Sequence, residues 1–458
     1  MTPAKALRGL IVAAAASHSG KTTVTLGLIA ALRKRGLTVA AAKCGPDYID
    51  PRFLEAASGG PVVNLDPWAM APAILRERLA RLGKGADLVV VEGVMGLYDG
   101  GPGAAGSTAS LSTLTDLPVV LVVGAEGQAQ TAAAVAEGCA RLAQDFKVIG
   151  AVVNQVASER HAALIREGFA RTSLPLLGMV RRDAGVALPS RHLGLVQAEE
   201  HDDLQRKIAR VGELVAEGCD LDELLAVSAP LPPCGGEMER GDSDTYRTWP
   251  FPLPDPPPQG GRGLTPLGQR IAVARDVAFA FAYPHLLMDW REAGADISFF
   301  SPLSDEAPAA DADAVYLPGG YPELHANTIA AARSFRLGML AAAERGALVY
   351  GECGGYMVLG ESLIDAEGVD HPMLGLLPLV TSFKHRMLHL GYRLLRPIGE
   401  LPWDVPLTAH EFHFARVVSE GDGDPLFEAE GADGTVLGPM GLRRERVMGS
   451  FAHVIDAR

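Results

Sequence analysis

Short apolar runs alternate with stretches of helical spacing from residue 9 to about residue 195. The runs at 9–16, 37–42, 88–92, 119–123, 148–153 and 176–180 carry few polar residues on either face and predict buried strands. Alanine-rich segments between them, such as 22–33 and 130–142, place apolar residues at helical intervals and predict amphipathic helices. Strand and helix in alternation imply right-handed βαβ crossovers and a mostly parallel sheet. A polar helix over 205–217 closes this unit.

From about 228 to 266 that periodicity stops. Leu231-Pro232-Pro233, Pro250-Phe251-Pro252 and the run Pro254 to Pro258 sit among glycines and charges, the composition of an extended linker. A second α/β pattern follows, with strands expected at 271–274, 297–300, 314–317 and 347–351 and a helix near 327–345. The expected organisation is therefore a first domain over 1–227, a proline-rich linker over 228–266 and a second domain over 267–458.

Charge narrows the function classes. Lys plus Arg total 41 against 55 Asp plus Glu, a formal net charge of −14, which argues against a sequence-independent nucleic-acid binder. The five cysteines form no CxxC pair, so a disulfide framework or zinc site is not expected and a reducing cytoplasm fits. The run at 10–16 is too short to span a bilayer. It imitates a signal peptide, with Lys5 and Arg8 ahead of it, but leads directly into a functional loop and reads as a buried strand.

That loop is Ser17-His18-Ser19-Gly20-Lys21-Thr22-Thr23, between a strand and a helix. Backbone N–H groups around Ser19, Gly20 and Thr23 would surround phosphates, Lys21 would reach the terminal ones, and Thr22 would ligate Mg²⁺. The first glycine of GxxxxGK[ST] is replaced by Ala15, and His18 stands where glycine would be easiest. Two further strand ends supply acids. Glu92 ends an apolar strand, where a second contact to Mg²⁺ belongs. Gly45-Pro46-Asp47-Tyr48-Ile49-Asp50-Pro51 ends another; Asp47 and Asp50 flank prolines and also suit a turn, as does Asp99 in Gly96–Gly100. In open α/β sheets these ends share the edge where ligands bind.

In the second domain Cys353 stands between an apolar strand and a helix expected from about Gly354. Its glycine neighbours permit the sharp turn that exposes a nucleophile, and a helix start would favour thiolate. Cys44 reads as structural. A nucleophilic thiol needs a base. His371, His385, His389, His410, His413 and His453 are the candidates, and spacing does not choose among them. Alternation is expected to set Glu411 on the face opposite both His410 and His413.

Taken together, these residues resemble the cobyrinic acid and hydrogenobyrinic acid a,c-diamide synthases, glutamine-dependent amidotransferases of corrin-ring biosynthesis. The resemblance covers almost the whole chain. It rests on residues 16–23, 43–51 and 92–100, on Leu188-Pro189-Ser190-Arg191-His192-Leu193-Gly194-Leu195, on 274–279, 300–303 and 317–323, and on the Cys353 turn. It implies an α/β fold: a dethiobiotin-synthetase-like ATP domain followed by a class I glutamine amidotransferase domain. It further implies that His453 is the base for Cys353. Related glutaminases often carry a glutamate two positions after that histidine; Ile455 stands there, so a Cys–His dyad is expected. Gly320 and Gly354 are the expected oxyanion donors, and Asp47 joins Thr22 and Glu92 as a metal candidate. Tyr48, Asp50 and Asp99 are the candidates for the substrate carboxylate.

The implied partners are a corrinoid, ATP and L-glutamine, with neither nucleic acid nor membrane; a homodimer is allowed for without a feature that requires it. Ammonia made in one domain and used in the other implies an enclosed passage. Cobyric acid synthase and nickel-sirohydrochlorin a,c-diamide synthase share the domain order. A switch of the MinD/ParA kind is the alternative outside the class, although Ala16 stands where such proteins carry an early lysine.

Overall fold

The computed structural model describes residues 7–187, 189–191, 194–231 and 263–458. Leu188, His192 and Leu193 of the 188–195 marker, and most of the expected linker, lie outside the described residues. The chain divides into two compact units, 1–254 and 255–458.

In the first unit the chain runs through β1 (Arg8–Ala14), α1 (Lys21–Lys34), β2 (Val39–Cys44), α2 (Asp50–Ser58), β3 (Val63–Leu65), α3 (Pro72–Leu82) and β4 (Leu88–Glu92). It continues through α4 (Thr108–Thr115), β5 (Val119–Gly124), α5 (Thr131–Leu142), β6 (Val148–Val156), α6 (Glu159–Phe169) and β7 (Leu176–Arg181). A small ribbon of β8 (Ser190–Arg191) and β9 (Gly194–Leu195), then α7 (Leu204–Gly218), α8 (Leu221–Ala226) and β10 (Ala229–Pro230) complete it. The parallel order is β3-β2-β4-β1-β5-β6-β7. Leu10 to Ala13 of β1 are wholly buried, as the apolar run requires of a central strand. Helix α7 packs closely on α1; a side chain at Gly27 would stand 2.5 Å from Val215. Ala229 and Pro230, assigned to the linker from composition, instead pair antiparallel with Gly9 and Arg8 of β1. Pro230 is tolerated there because the pair is two residues long and lies at the start of β1.

The second unit begins with β11 (Arg270–Ala274), α9 (Pro284–Glu292), β12 (Asp296–Phe300), β13 (Ala314–Leu317), α10 (Ala326–Ala331), α11 (Arg333–Glu344), β14 (Leu348–Glu352) and α12 (Gly354–Leu359). Strands then dominate: β15 (Ser362–Ile364), β16 (Asp370–Pro372), β17 (Leu379–Ser382), β18 (His389–Pro397) and β19 (Leu407–His413). After them come β20 (Arg416–Glu420), β21 (Asp424–Gly431), β22 (Val436–Arg444), β23 (Val447–Ser450) and β24 (Ala452–Ala457). The main sheet runs β12-β11-β13-β14-β23-β22-β21-β18-β19-β24, parallel from β12 to β23 and antiparallel beyond. A smaller sheet has the order β16-β15-β17-β20.

The single helix expected near 327–345 is two helices that break at Ala332. Asp305 explains the second start: its carboxylate accepts the Phe335 backbone N–H and the Ser334 hydroxyl, each at 3.0 Å. An acidic acceptor at a helix start satisfies an orphan amide and suits the local dipole. Consecutive strands β23 and β24 lie far apart in the sheet order, so the sheet curls back. The Val454 N–H, donating to Glu352 Oε1 at 3.0 Å, ties the returning β24 to the end of β14. Among the described residues no helix is long and apolar enough to cross a membrane.

Candidate functional site

Two sites are built, one in each unit. In the first, β1 delivers a loop whose His18 and Gly20 both take left-handed backbone, with φ of 64° and 81°. A side chain on Gly20 would collide with Asn154 Nδ2 at 1.9 Å, so glycine is required there on two grounds. Asn154 at the end of β6 donates to the Ser19 carbonyl at 3.1 Å, and Ser19 Oγ donates back to the Ala16 carbonyl at 2.7 Å. The loop is thereby fixed before any phosphate arrives. Lys21, Thr22 and Thr23 form the first turn of α1.

Glu92 is the hub. Its Oε1 accepts from Thr22 Oγ1 at 2.7 Å and Lys43 Nζ at 3.0 Å, and Lys21 Nζ stands 4.0 Å away. Its Oε2 is buried and has no hydrogen-bond partner among the described residues. A hard cation needs such an oxygen beside a threonine hydroxyl, so Thr22 and Glu92 fit Mg²⁺. Asp47 fits less directly. Its Oδ1 closes the turn by accepting the Ile49 and Asp50 N–H groups, and its Oδ2 lies 3.7 Å from Lys43.

Lys43 is the residue that sequence reasoning passed over. It lies opposite Glu92 in the β2–β4 register and is 1% exposed. It also pairs with Asp50. Asp50, a candidate for the substrate carboxylate, serves Lys43 as a counter-ion, because a buried ammonium without several carboxylates would be prohibitive. Burial opposes the Lys43 charge, but Asp50, Glu92 and Asp47 outweigh it and hold the ammonium protonated. Burial, then repulsion from Lys43, lowers Lys21 despite the nearby acids. Burial and the Asp50 charge raise Asp47 to about 6. Of the other substrate candidates, Tyr48 is buried and Asp99 accepts the Gly96 N–H at 3.0 Å, closing its own turn. Cys44 is buried, and burial followed by Asp66 lifts its thiol to about 12, as suits a structural residue.

In the second unit Cys353 follows β14 and caps α12 with φ of 48° and ψ of −106°; the turn is strained as expected, but the residue is buried rather than exposed. The turn is tight: a side chain on Gly355 would meet the Leu317 carbonyl at 1.9 Å. His453 of β24 joins it. A methyl built on Gly319 would stand 3.2 Å from Cys353 Cβ and 3.0 Å from His453 Nε2. Thiol and imidazole thus share one glycine-floored space. Gly320 and Gly354 are neighbours too, since a side chain at Gly354 would approach the Gly320 nitrogen to 3.0 Å.

The helix start does not produce the thiolate expected from sequence. α12 is only six residues long. Burial, then Glu323, pushes the Cys353 thiol well above its ordinary value although the Gly354 N–H opposes this. The imidazole is biased likewise: burial, then His410 and His413, lowers His453 to about 3 against the Phe281 carbonyl and Glu411. Burial thus favours the neutral form of both groups.

The strand wall beside the thiol corrects another expectation. Glu411 and His413 share a face of β19, with His413 Nε2 2.9 Å from Glu411 Oε1; residues two apart in a strand must do so. Arg393 Nε donates to Glu411 Oε2 at 2.8 Å, and His389 stacks on His413. Burial pulls Glu411 upward, but His413 and Arg393 win and hold it at about 2. The Phe412 carbonyl between them lies 4.0 Å from Cys353 Sγ.

Comparison with known proteins matches both units. The CobQ/CobB/MinD/ParA nucleotide binding domain matches residues 10–196, and the CobB/CobQ-like glutamine amidotransferase domain matches residues 270–458. The chain is 50% identical over 452 residues to a hydrogenobyrinate a,c-diamide synthase of Sinorhizobium sp, covering 98% of this chain and 99% of that one. It is 51% identical over 451 residues to the enzyme of that name from Brucella suis, with the same coverage. The corresponding Mesorhizobium japonicum protein is 45% identical over 454 residues, covering 98% of each chain.

Proposed function

Because the chain belongs to the hydrogenobyrinate a,c-diamide synthase family, we propose that it amidates the a and c side-chain carboxylates of hydrogenobyrinic acid. It is a glutamine-hydrolysing carbon–nitrogen ligase of cobalamin biosynthesis, with ATP and L-glutamine as co-substrates. The observation that carries the detailed reading is the convergence of Cys353 and His453 on Gly319, in a chain that also presents Lys21, Thr22 and Glu92 behind a strained loop.

In the glutaminase half, Cys353 Sγ attacks the side-chain amide carbon while His453 takes the thiol proton and passes it to the departing ammonia. A thioester remains, and water activated by His453 hydrolyses it to glutamate. The raised thiol and lowered imidazole make proton transfer part of the attack rather than a preceding step. The Gly320 and Gly354 N–H groups receive the developing oxyanion.

In the ligase half, a substrate carboxylate attacks the terminal phosphorus of ATP to give an acyl phosphate, and ammonia displaces phosphate from it. Oxide is a poor leaving group and phosphate a good one, which is why ATP is consumed. Lys21 neutralises charge on the phosphates, and Lys43 holds Glu92 and Asp50 in place from below. Thr22 and Glu92 would hold Mg²⁺, which supplies positive charge to the nucleotide when bound. The same reading places the enzyme in the cytoplasm.

Mass spectrometry of products tests the assignment. With MgATP and glutamine, hydrogenobyrinic acid is expected to gain two amides in succession. If cobyrinic acid alone is converted, or amidation continues beyond two groups, this substrate assignment is wrong.

A further inference from the structure

We propose that Glu352, the residue immediately before the nucleophile, is the positioning residue of the glutaminase base, facing His453 Nδ1 and keeping Nε2 turned to Cys353. This rests on Cys353 and His453 acting as described above. Glu352 Oε2 lies 3.8 Å from His453 Nδ1, and both side chains are at most 1% exposed. The carboxylate is itself fixed: Tyr316 donates its hydroxyl to Oε2 at 2.7 Å, and the Val454 N–H, next in sequence to His453, donates to Oε1 at 3.0 Å. One group therefore ties the nucleophile strand to the base strand and meets the base ring. Position 455, two beyond the histidine, is isoleucine and offers no carboxylate.

The chemistry calls for such a group. When His453 accepts the thiol proton it becomes a buried imidazolium, and a facing carboxylate both stabilises that cation and selects the tautomer that leaves Nε2 free. Catalytic hydrogen bonds in ligand-free sites are often long and tighten when substrate binds. The Phe281 carbonyl also supports the charged ring; it is neutral backbone and does not titrate.

A signature in pH follows. Burial pushes the Glu352 carboxyl up to about 8, against the Tyr316 and Val454 donors. Its charge therefore arrives as pH rises through that value, and glutaminase turnover rises with it. The ionisable groups around the pair are Tyr316 of β13, Tyr350 of β14, Cys353, and His410, Glu411 and His413 of β19. Of these, His410 and Glu411 complete their titration well below pH 8.

The test compares pH profiles of glutaminase kcat and KM in the full-length enzyme, with ammonium-driven amidation as the internal reference. Glu352→Gln keeps the shape and the acceptor for Val454 but carries no charge. It is expected to lower glutaminase kcat on the order of 100-fold, leave KM for glutamine and ammonium-driven amidation near wild type, and abolish the rise near pH 8. Tyr316→Phe removes a donor to the carboxylate and is expected to move that rise to higher pH. A Glu352→Gln enzyme with wild-type kcat and profile would show that Glu352 only ties strands, and would overturn the proposal. If that variant also loses ammonium-driven amidation, Tyr316→Phe decides: an unmoved rise overturns it. Full glutaminase activity in Cys353→Ala or His453→Ala would instead sink the underlying dyad.

Discussion

Gly319 carries more of the glutaminase site than its lack of a side chain suggests. Its Cα faces both reacting groups, and the atom it omits would sit 2.3 Å from His453 Cε1. No real side-chain carbon tolerates that contact, and the imidazole cannot retreat because it is wholly buried. Gly319→Ala is therefore expected to reduce glutamine-driven amidation at least 10-fold by displacing the base. Ammonium-driven amidation should persist at wild-type rate. Assaying both nitrogen sources checks this, and equal loss of both would mean that the substitution unfolds the chain. At this scale the sequence was informative where backbone chemistry is local. Cys353 ahead of two glycines, Gly20 before Lys21, and His18 in a left-handed position all follow from short-range rules. Lys43 did not, because its meaning lies in Glu92 and Asp50, brought to it by an adjoining strand and helix. Glu352 was hidden for the same reason: its partners are Tyr316 and residues of the last strand.

Elements were most legible where they form apolar runs of four or more residues. Six of the seven parallel strands described in the first unit appear within a few residues of their expected limits, because a strand covered on both faces is a plain apolar run; β3, three residues long with Asn64 at its centre, was not expected. Strands β15 to β22 left no comparable trace. β20 is exposed along its whole length, β18 mixes charged, aromatic and glycine residues, and β22 mixes charged and glycine residues, both on partly exposed faces. The β19–β24 pair carries a distinct consequence. His410 lies opposite His453 and is buried, and burial followed by Arg393 lowers it to about 4. An imidazole with a folded value below its unfolded 6.5 binds its proton more readily in the unfolded chain between those limits. Its stabilising share is thus intact above pH 6.5 and lost as pH falls through 4, by about 3 kcal/mol. Glu352, with a raised value, contributes in the opposite sense, so the absolute pH curve does not isolate His410. The difference from His410→Gln does. Urea unfolding at pH 7 and pH 4 should show the variant losing less stability than wild type; parallel losses would assign the acid sensitivity elsewhere.

At the scale of the whole molecule, two chemistries with no shared residue occupy two compact units of one chain. Each unit is built around a nucleophile or anion site at the end of a central parallel strand, β1 in the first and β14 in the second. Such edges gather several strand ends at one place, which is how Lys21, Lys43 and Glu92 meet in one unit and Cys353, Gly319 and Glu352 in the other. Damage to either site should then produce its own pattern. On the proposed mechanism Cys353→Ala removes the thioester step alone, so glutamine-driven amidation should fall to background while added ammonium restores amide formation. On the same mechanism Lys21→Ala removes a phosphate contact, so no amide should form from either nitrogen source. The two variants therefore share one defect and differ in the other, and no general loss of folding reproduces that pair of outcomes. Amide formation from ammonium in Lys21→Ala would place the nucleotide elsewhere, and failure of ammonium to rescue Cys353→Ala would give Cys353 a duty beyond releasing ammonia.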